Sequence, residues 1–135
     1  YRFLSNFYPS LINVEGRDYS TVEHAYQAYK SFSPIERSSI AKAATPGEAK
    51  RLGRRVKSLR NDWESVKLGI MKELIWLKFQ NPELRKLLLI TQDEELVEGN
   101  NWGDYFWGVC NVRGENHLGR ILMETRDIIR LGECK

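Results

Sequence analysis

Signals for the start of an α-helix recur along this chain, and they constrain its fold more than any other feature. In each signal a Thr, Ser or Asn, whose side chain caps a helix, stands directly before the first helical residue. In three of the four that residue is proline, which suits a first turn because its backbone angle is fixed and no N–H is needed there. The four signals are Thr21-Val22, Ser33-Pro34, Thr45-Pro46 and Asn81-Pro82. They predict a series of short helices, and therefore a mainly α fold.

Apolar spacing predicts two longer helices. Asp62 is a suitable N-cap for a helix that runs to about Phe79, and Asn116 is a suitable N-cap for the last helix. The first of these carries two apolar seams, one of Trp63, Val66, Ile70, Leu74 and Leu77, the other of Leu68, Met71, Ile75 and Phe79. A helix that is apolar on two sides is expected to lie at the centre of the fold.

Extended structure is expected in only a few places. Residues 1–19 are aromatic and rich in turn residues, which indicates extended or hairpin structure, and short strands are expected at 95–98 and 107–109. Residues 1–135 are therefore predicted to form a single multihelical domain around a long central helix, with a few short β-strands. Because the chain begins at Tyr1 without an initiator Met, we expect the natural N-terminus to lie upstream.

Composition narrows the class of protein. The longest apolar run, 87–90, is too short to cross a membrane, and the net charge of +3 is only mildly basic. Cys110 and Cys134 lie far apart, which favours reduced thiols and a cytoplasmic protein, or a nuclear one in a eukaryote. His24 and His117 share no metal-ligand spacing with the cysteines or an acidic cluster, so we expect no metal site.

The first predicted helix carries an unusual polar stripe. Its apolar face comprises Val22, Ala25, Tyr26 and Tyr29. At about 100° per residue, Glu23, Gln27 and Lys30 form a second stripe roughly 110° away, at the rim of the core rather than opposite it. Such a stripe lines a cleft in one interpretation and is a surface row with a Glu/Lys pair in the other.

Three further features each have a structural and a functional interpretation. The aromatic segment 101–108 surrounds Asp104 and either stacks a heterocycle on Trp107 or plugs the core. The basic residues between Lys50 and Arg60 either hold a phosphate or form a solvated face, with the solvated face favoured. Asn116 caps a helix or contacts a ligand, with capping favoured.

Five motifs, in order, resemble the NADAR, or YbiA-like, family across nearly the whole chain. They are Leu4-Ser5-Asn6-Phe7-Tyr8-Pro9-Ser10, Val22-Glu23-His24-x-Tyr26-Gln27-Ala28-x-Lys30, Thr45-Pro46-x-x-Ala49-Lys50-x-x-Gly53-Arg54, Arg60-x-Asp62-Trp63, and Trp107-Gly108 followed by Gly114-x-Asn116-x-Leu118-Gly119. The resemblance implies a mainly helical N-glycosidase, a hydrolase that cleaves a bond between ribose C1′ and nitrogen without a cofactor. Its expected substrate is ADP-ribose on guanine in DNA, or a ribosylamino-pyrimidine phosphate of early riboflavin synthesis.

Both substrates react through an oxocarbenium-like transition state, which needs an anion near the sugar, a group for proton transfer and a surface for the departing base. The resemblance implies catalytic roles for Glu23, Lys30 and Asp104. It implies substrate-binding roles for Asn6, Phe7, Tyr26, Lys50, Arg54, Trp63, Trp107 and Asn116. Lys30 is a candidate for a Schiff base with C1′ of the opened ribose.

The chain also departs from the family pattern. Several members carry an acidic residue just after the Trp-Gly pair, whereas this chain has Val109-Cys110 there. We interpret this difference, supported by the basic region from Lys50 to Arg60, as favouring ADP-ribose on guanine. The expected partner is an ADP-ribose-containing substrate such as ADP-ribosylated DNA, and the short apolar runs predict no membrane partner. The alternatives are the riboflavin-intermediate N-glycosidase and a non-catalytic module that binds ADP-ribose or nucleic acid. No oligomeric state is predicted.

Overall fold

The computed structural model describes residues 1–133, which group into two compact units. Unit 1 runs from Tyr1 to Lys78 and unit 2 begins at Phe79, and each is described here by itself. The prediction of a single domain stays a prediction. Among the described residues no helix is long and apolar enough to cross a membrane.

Unit 1 opens with a short 3-10 helix and a β-hairpin. The 3-10 helix, Arg2–Leu4, lies where extended chain was expected. Strands β1 (Ile12–Val14) and β2 (Arg17–Tyr19) then pair antiparallel, and this hairpin was predicted. The two residues that join the strands, Glu15 and Gly16, have φ of 51° and 81°, as a tight hairpin turn requires.

Four helices complete unit 1, and their predicted starting points are confirmed. They are α1 (Val22–Ala28), α2 (Pro34–Ala41), α3 (Pro46–Gly53) and α4 (Trp63–Lys78). The hydroxyls of Thr21, Ser33 and Thr45 each accept the N–H three residues later, at 3.1, 3.3 and 3.1 Å. Because α2, α3 and α4 all pack against α1, every residue of α1 is buried.

The start of α4 corrects one predicted contact. Asp62 precedes the helix as expected, but its carboxylate accepts two hydrogen bonds from Arg60, at 2.6 and 3.1 Å. A charged, bidentate partner two residues away therefore occupies the group that was assigned to capping. Of the second apolar seam, Met71 and Ile75 are buried, whereas Leu68 is 37% exposed.

Within the described residues, unit 2 contains two helices and a small parallel sheet. Helix α5 (Pro82–Ile90) begins after Asn81, which caps it as predicted, and α6 (His117–Glu133) packs against it. Strand β3 (Gly99–Asn100) pairs in parallel with β4 (Val109–Cys110). The prediction of a strand at 95–98 is wrong, because β3 begins at Gly99. The strand predicted at 107–109 is present as β4, which begins two residues later than expected. Cys110 is buried and forms no disulfide in the described chain, and Cys134 lies outside the described residues.

Together, these elements confirm a mainly α fold with a few short strands.

Candidate active site

Glu23 is a buried carboxyl group in the second residue of α1. Its side chain lies among buried residues, and the residue as a whole is 7% exposed. Gln27, one helical turn later, donates from Nε2 to Glu23 Oε1 at 2.7 Å. The backbone N–H of Glu23 donates to the carbonyl of Asn6 at 3.1 Å, which ties the N-terminal loop to the start of α1. A solvated surface row is therefore excluded for Glu23 and Gln27, because both are enclosed by unit 1.

Burial and nearby cations act on Glu23 in opposite directions. Burial raises the pKa of Glu23 above its ordinary value, and this effect outweighs the hydrogen bond from Gln27 and the positive charges of Lys50 and Lys30, which lower it. Burial lowers the pKa of Lys30, opposed by Glu23 and assisted by nearby cations. The pair thus combines a carboxyl that resists ionisation with an amine that resists protonation, which suits both groups to proton transfer.

Cations from two parts of unit 1, the end of α3 and helix α4, act on Lys30 of this pair. Lys50 lies in α3, and Arg54 lies one turn later, just after the helix ends. The positive charges of both residues lower the pKa of Lys30. Lys67 of α4 does so as well, although it also forms an ion pair with Glu64 at 2.7 Å. Lys67 was not among the site residues predicted from the sequence. Its spacing could have indicated it, because Lys67 follows Trp63 by one helical turn and so lies on the same inward-facing side of α4.

Asn6 and Phe7 lie on the loop beside the start of α1. Asn6 donates from Nδ2 to the sulfur of Met71 at 3.6 Å, while its buried Oδ1 has no hydrogen-bond partner among the described residues. Phe7 is 44% exposed. The backbone of Asn6 thus contacts Glu23, and Phe7 presents an apolar ring at the surface. The contacts of both residues with substrate stay predictions.

Tyr26 and Trp63 pack against each other inside unit 1. Their ring centroids lie 5.0 Å apart with an interplanar angle of 55°, and both side chains are buried. This tilted contact joins α1 to α4 through two large apolar surfaces. The structure places both residues in the core, as the apolar seam predicted for Trp63. A contact of either residue with substrate stays a prediction.

The predicted site residues of unit 2 are held by the loop itself. Asp104 Oδ1 accepts the N–H groups of Phe106 and Trp107 at 3.2 and 2.9 Å. Trp107 is half-buried and meets Phe106 edge to face, with ring centroids 4.8 Å apart. A carboxylate that accepts two backbone donors closes a turn. The catalytic role of Asp104 and the substrate contact of Trp107 stay predictions.

Asn116 corrects the expectation of a helix cap. It precedes α6, but its Oδ1 accepts the N–H of Glu98 at 2.8 Å and its Nδ2 donates to the carbonyl of Leu96 at 2.9 Å. Its φ of 52° turns the side chain away from the helix start. Both ends of the amide are thus occupied by a segment distant in sequence, and nothing in this arrangement supports a substrate contact.

The basic stretch does not form one surface. Arg60 is half-buried, binds Asp62 and lies over the ring of Phe32 at 4.4 Å, whereas Arg51 and Lys57 are exposed. The prediction of a solvated face therefore holds for Arg51 and Lys57. Arg54 is exposed as well, and its charge and that of the half-buried Lys50 act on Lys30. Within residues 1–133 no cluster of His, Cys, Asp and Glu is suited to hold a metal ion.

Comparison with known proteins places these features in a family. Residues 1–130 match the NADAR domain, and the chain belongs to this family. It is 44% identical to an N-glycosidase of Nostoc punctiforme over 96% of this chain and 86% of that protein. It is 42% identical to the N-glycosidase YbiA of Escherichia coli, over 94% of this chain and 81% of that protein.

The NMR structure of E. coli YbiA has the same fold. It matches with a TM-score of 0.88 at 39% identity, covering 98% of this chain and 80% of that one. A riboflavin biosynthesis protein of Vibrio vulnificus is 38% identical over 93% of this chain but only 35% of its own length. These matches confirm the predicted fold and the predicted N-glycosidase class of hydrolase.

Proposed function

We propose that the protein is an N-glycosidase that removes ADP-ribose from guanine in ADP-ribosylated DNA. The observation that carries the proposal is the buried carboxyl of Glu23 beside Lys30 and Lys50, with Arg54 and Lys67 acting in turn on Lys30. A carboxylate suits the positive charge that develops on ribose, and the cations suit the phosphates attached to that ribose.

Glu23 acts on the sugar. When the bond between C1′ and nitrogen breaks, its electrons leave with the base and C1′ becomes positively charged. An ionised Glu23 stabilises that charge, or takes a proton from the water that attacks C1′. Its carboxylate is oriented for this task through Oε1, which accepts from Gln27, so Oε2 is the oxygen left for substrate or water.

Lys30 offers a covalent route to the same products. Because burial lowers the pKa of its amine, a larger fraction of Lys30 is neutral than for a solvated lysine. A neutral amine attacks C1′ of the opened ribose, the base departs with a proton, and a Schiff base forms. Water then hydrolyses the Schiff base, which releases the sugar and restores the amine.

The choice of ADP-ribose rests on charge and on the family pattern. The positive charges of Lys50 and Lys30 act on Glu23, and those of Lys50, Arg54 and Lys67 act on Lys30, although Lys67 also pairs with Glu64. This is more positive charge than an uncharged sugar requires, and it suits a pyrophosphate. Val109-Cys110, where several relatives have an acidic residue, supports the same choice. The second candidate is a ribosylamino-pyrimidine phosphate, which the name of the V. vulnificus relative favours.

Product release tests the proposal. The protein is incubated with an oligonucleotide that carries ADP-ribosylated guanine and, separately, with the ribosylamino-pyrimidine phosphate, and free ADP-ribose or ribose phosphate is measured by mass spectrometry. We expect faster release of ADP-ribose. Release from the pyrimidine substrate alone would establish the second candidate, and tight binding without release from either would establish a binding module.

A further inference from the structure

We propose that Gly53 and Gln27 are positioning residues for Glu23, with Gly53 acting only by leaving space for the Gln27 amide. The inference rests on the proposed function of Glu23 and adds to it the two residues that hold its carboxyl group. Gly53 lies at the end of α3, which packs against α1, the helix that carries both Glu23 and Gln27.

The space at Gly53 is filled by Gln27. A Cβ built on Gly53 would overlap the side-chain oxygen of Gln27 and would lie 2.7 Å from its Cδ and 2.9 Å from its Cβ. Its three nearest atoms thus all belong to Gln27. Any side chain at position 53 would therefore push the amide out of its place.

The backbone gives no other reason for glycine at this position. Gly53 belongs to α3 and has no positive φ, so an alanine would fit its conformation. The C-cap is the following residue, Arg54, which is itself right-handed, so Gly53 does not end the helix in the way that glycine commonly does. Glycine within a helix is unfavourable relative to alanine, which makes the open space the remaining physical reason for it.

The Gln27 amide is arranged for Glu23 rather than for its own hydrogen bonding. Gln27 is 4% exposed, and its Nε2 donates to Glu23 at 2.7 Å. Its buried Oε1, which lies against Gly53, has no hydrogen-bond partner among the described residues. A buried oxygen without a donor is unfavourable for folding. The arrangement is explained if the amide must present its N–H to the carboxylate.

The titration of Glu23 reports on this hydrogen bond. The titratable side chains that act on Glu23 are His24 and Lys30, on α1 and just after it, and Lys50 on α3. Arg54, just after α3, and Lys67 of α4 act on Lys30. Gln27 contributes a hydrogen bond that lowers the pKa of Glu23. Displacing the amide leaves those charges in place and removes this bond, so the pKa of Glu23 should rise further.

The test is a carbon-detected NMR titration of the side-chain carboxyl of Glu23, with its resonance assigned by its loss in Glu23→Gln. We expect Gly53→Ala and Gln27→Ala each to raise the pKa of Glu23. In the Gln27→Ala background the amide is already gone, so adding Gly53→Ala should produce no further rise. Gly69→Ala, on α4, is the matched control because a Cβ there meets nothing within 4 Å, and it should leave the titration unchanged.

Several results would overturn the inference. These are an unchanged Glu23 titration in folded Gly53→Ala or in Gln27→Ala, or a further rise when Gly53→Ala is added to Gln27→Ala. If Gly53→Ala alone does not fold, recovery of folding by Gln27→Ala supports the contact, and failure to recover contradicts it.

Turnover separates the inference from the proposed function. In an active enzyme Gly53→Ala should lower kcat/KM by about 10²-fold at neutral pH and move the acidic limb of the pH profile upward. A raised pKa of Glu23 in a protein that cleaves neither substrate would leave the positioning pair intact and reject the proposed function.

Discussion

Glu23 of unit 1 and Asp104 of unit 2 are both carboxyl groups held by donors, but they are held in different ways. Asp104 accepts two backbone N–H groups from its own loop, so its charge is used to close a turn. Glu23 is buried, accepts one side-chain donor, and has a raised pKa because burial outweighs the surrounding cations. The first arrangement stabilises the fold, whereas the second is unfavourable for the fold and is therefore a better candidate for function.

The largest expected effect concerns the packing of α4 against α1, the helix that carries Glu23. Trp63→Ala removes a buried ring that packs against Tyr26 of α1, and it should destabilise the protein by ~3–5 kcal/mol. Thermal unfolding and the affinity for ADP-ribose distinguish packing from ligand contact. Normal affinity in the folded fraction would assign Trp63 to the core alone, and lost affinity without lost stability would assign it to the substrate.

Glu23→Gln keeps the shape of the side chain and removes its charge. Turnover should fall by about 10²-fold or more, because the oxocarbenium-like state loses its anion or the water loses its base. The control is Glu73→Gln, the same substitution at an exposed position of α4. A near-normal rate in Glu23→Gln would remove this residue from the mechanism.

Lys30→Ala should lower turnover by roughly 10²-fold through loss of the nucleophile. Borohydride added during turnover of the unmodified protein should trap the Schiff base, as a mass increase that maps to Lys30. Lys42→Ala, at an exposed position after α2, is the control. Substantial activity in Lys30→Ala together with no trapping would exclude the covalent route.

For Asp104 we expect substitution to affect stability rather than turnover. Asp104→Ala removes the acceptor of two backbone N–H groups and should destabilise the protein by ~1–3 kcal/mol. Asp104→Asn keeps an acceptor oxygen, so its stability and turnover should stay close to normal. A loss of turnover in Asp104→Asn comparable with that of Glu23→Gln would instead support the catalytic role predicted from the sequence.

The smallest expected effect is a pH dependence of stability. Because the pKa of Glu23 is raised in the folded state, the folded protein holds this proton more tightly than the unfolded chain does. The stability that comes from this difference is fully present below the unfolded pKa, and it is lost as pH rises through the folded pKa. Glu23→Gln has no group to ionise, so at pH 8 it should be more stable than the unmodified protein by roughly 0.5–2 kcal/mol. At pH 4 this gain in stability should be smaller. Urea unfolding at the two pH values measures the difference, and an equal effect at both would contradict it.

Local signals in the sequence were sufficient to predict the helix starts. Thr21, Ser33 and Thr45 each bond to an N–H only three residues away, so the chain carries the whole contact within one turn. Asp62 and Asn116 looked equally suitable, yet their side chains bind elsewhere. The partners of Asn116 lie 18 and 20 residues away, at a distance where spacing in the sequence gives no signal.

The candidate site could be predicted only in part, because spacing within one helix can be read from the sequence but packing between helices cannot. The 3.6-residue period placed Glu23, Gln27 and Lys30 on one stripe, but only the packing of α2, α3 and α4 on α1 shows that Glu23 and Gln27 are enclosed. Lys30 lies two residues beyond the end of α1 and is half-buried. Gly53 also required the structure, because the reason for its missing side chain is the Gln27 amide on another helix.

The most direct test of the account is to measure turnover and thermal stability together in Glu23→Gln and Asp104→Asn, with an ADP-ribosylated oligonucleotide as substrate at pH 8. The account predicts that Glu23→Gln loses about 10²-fold in turnover while its Tm rises, and that Asp104→Asn keeps both values near normal. A Glu23→Gln protein with normal turnover, or an Asp104→Asn protein that is folded but inactive, would contradict the assignment of the reaction to the buried carboxyl of α1.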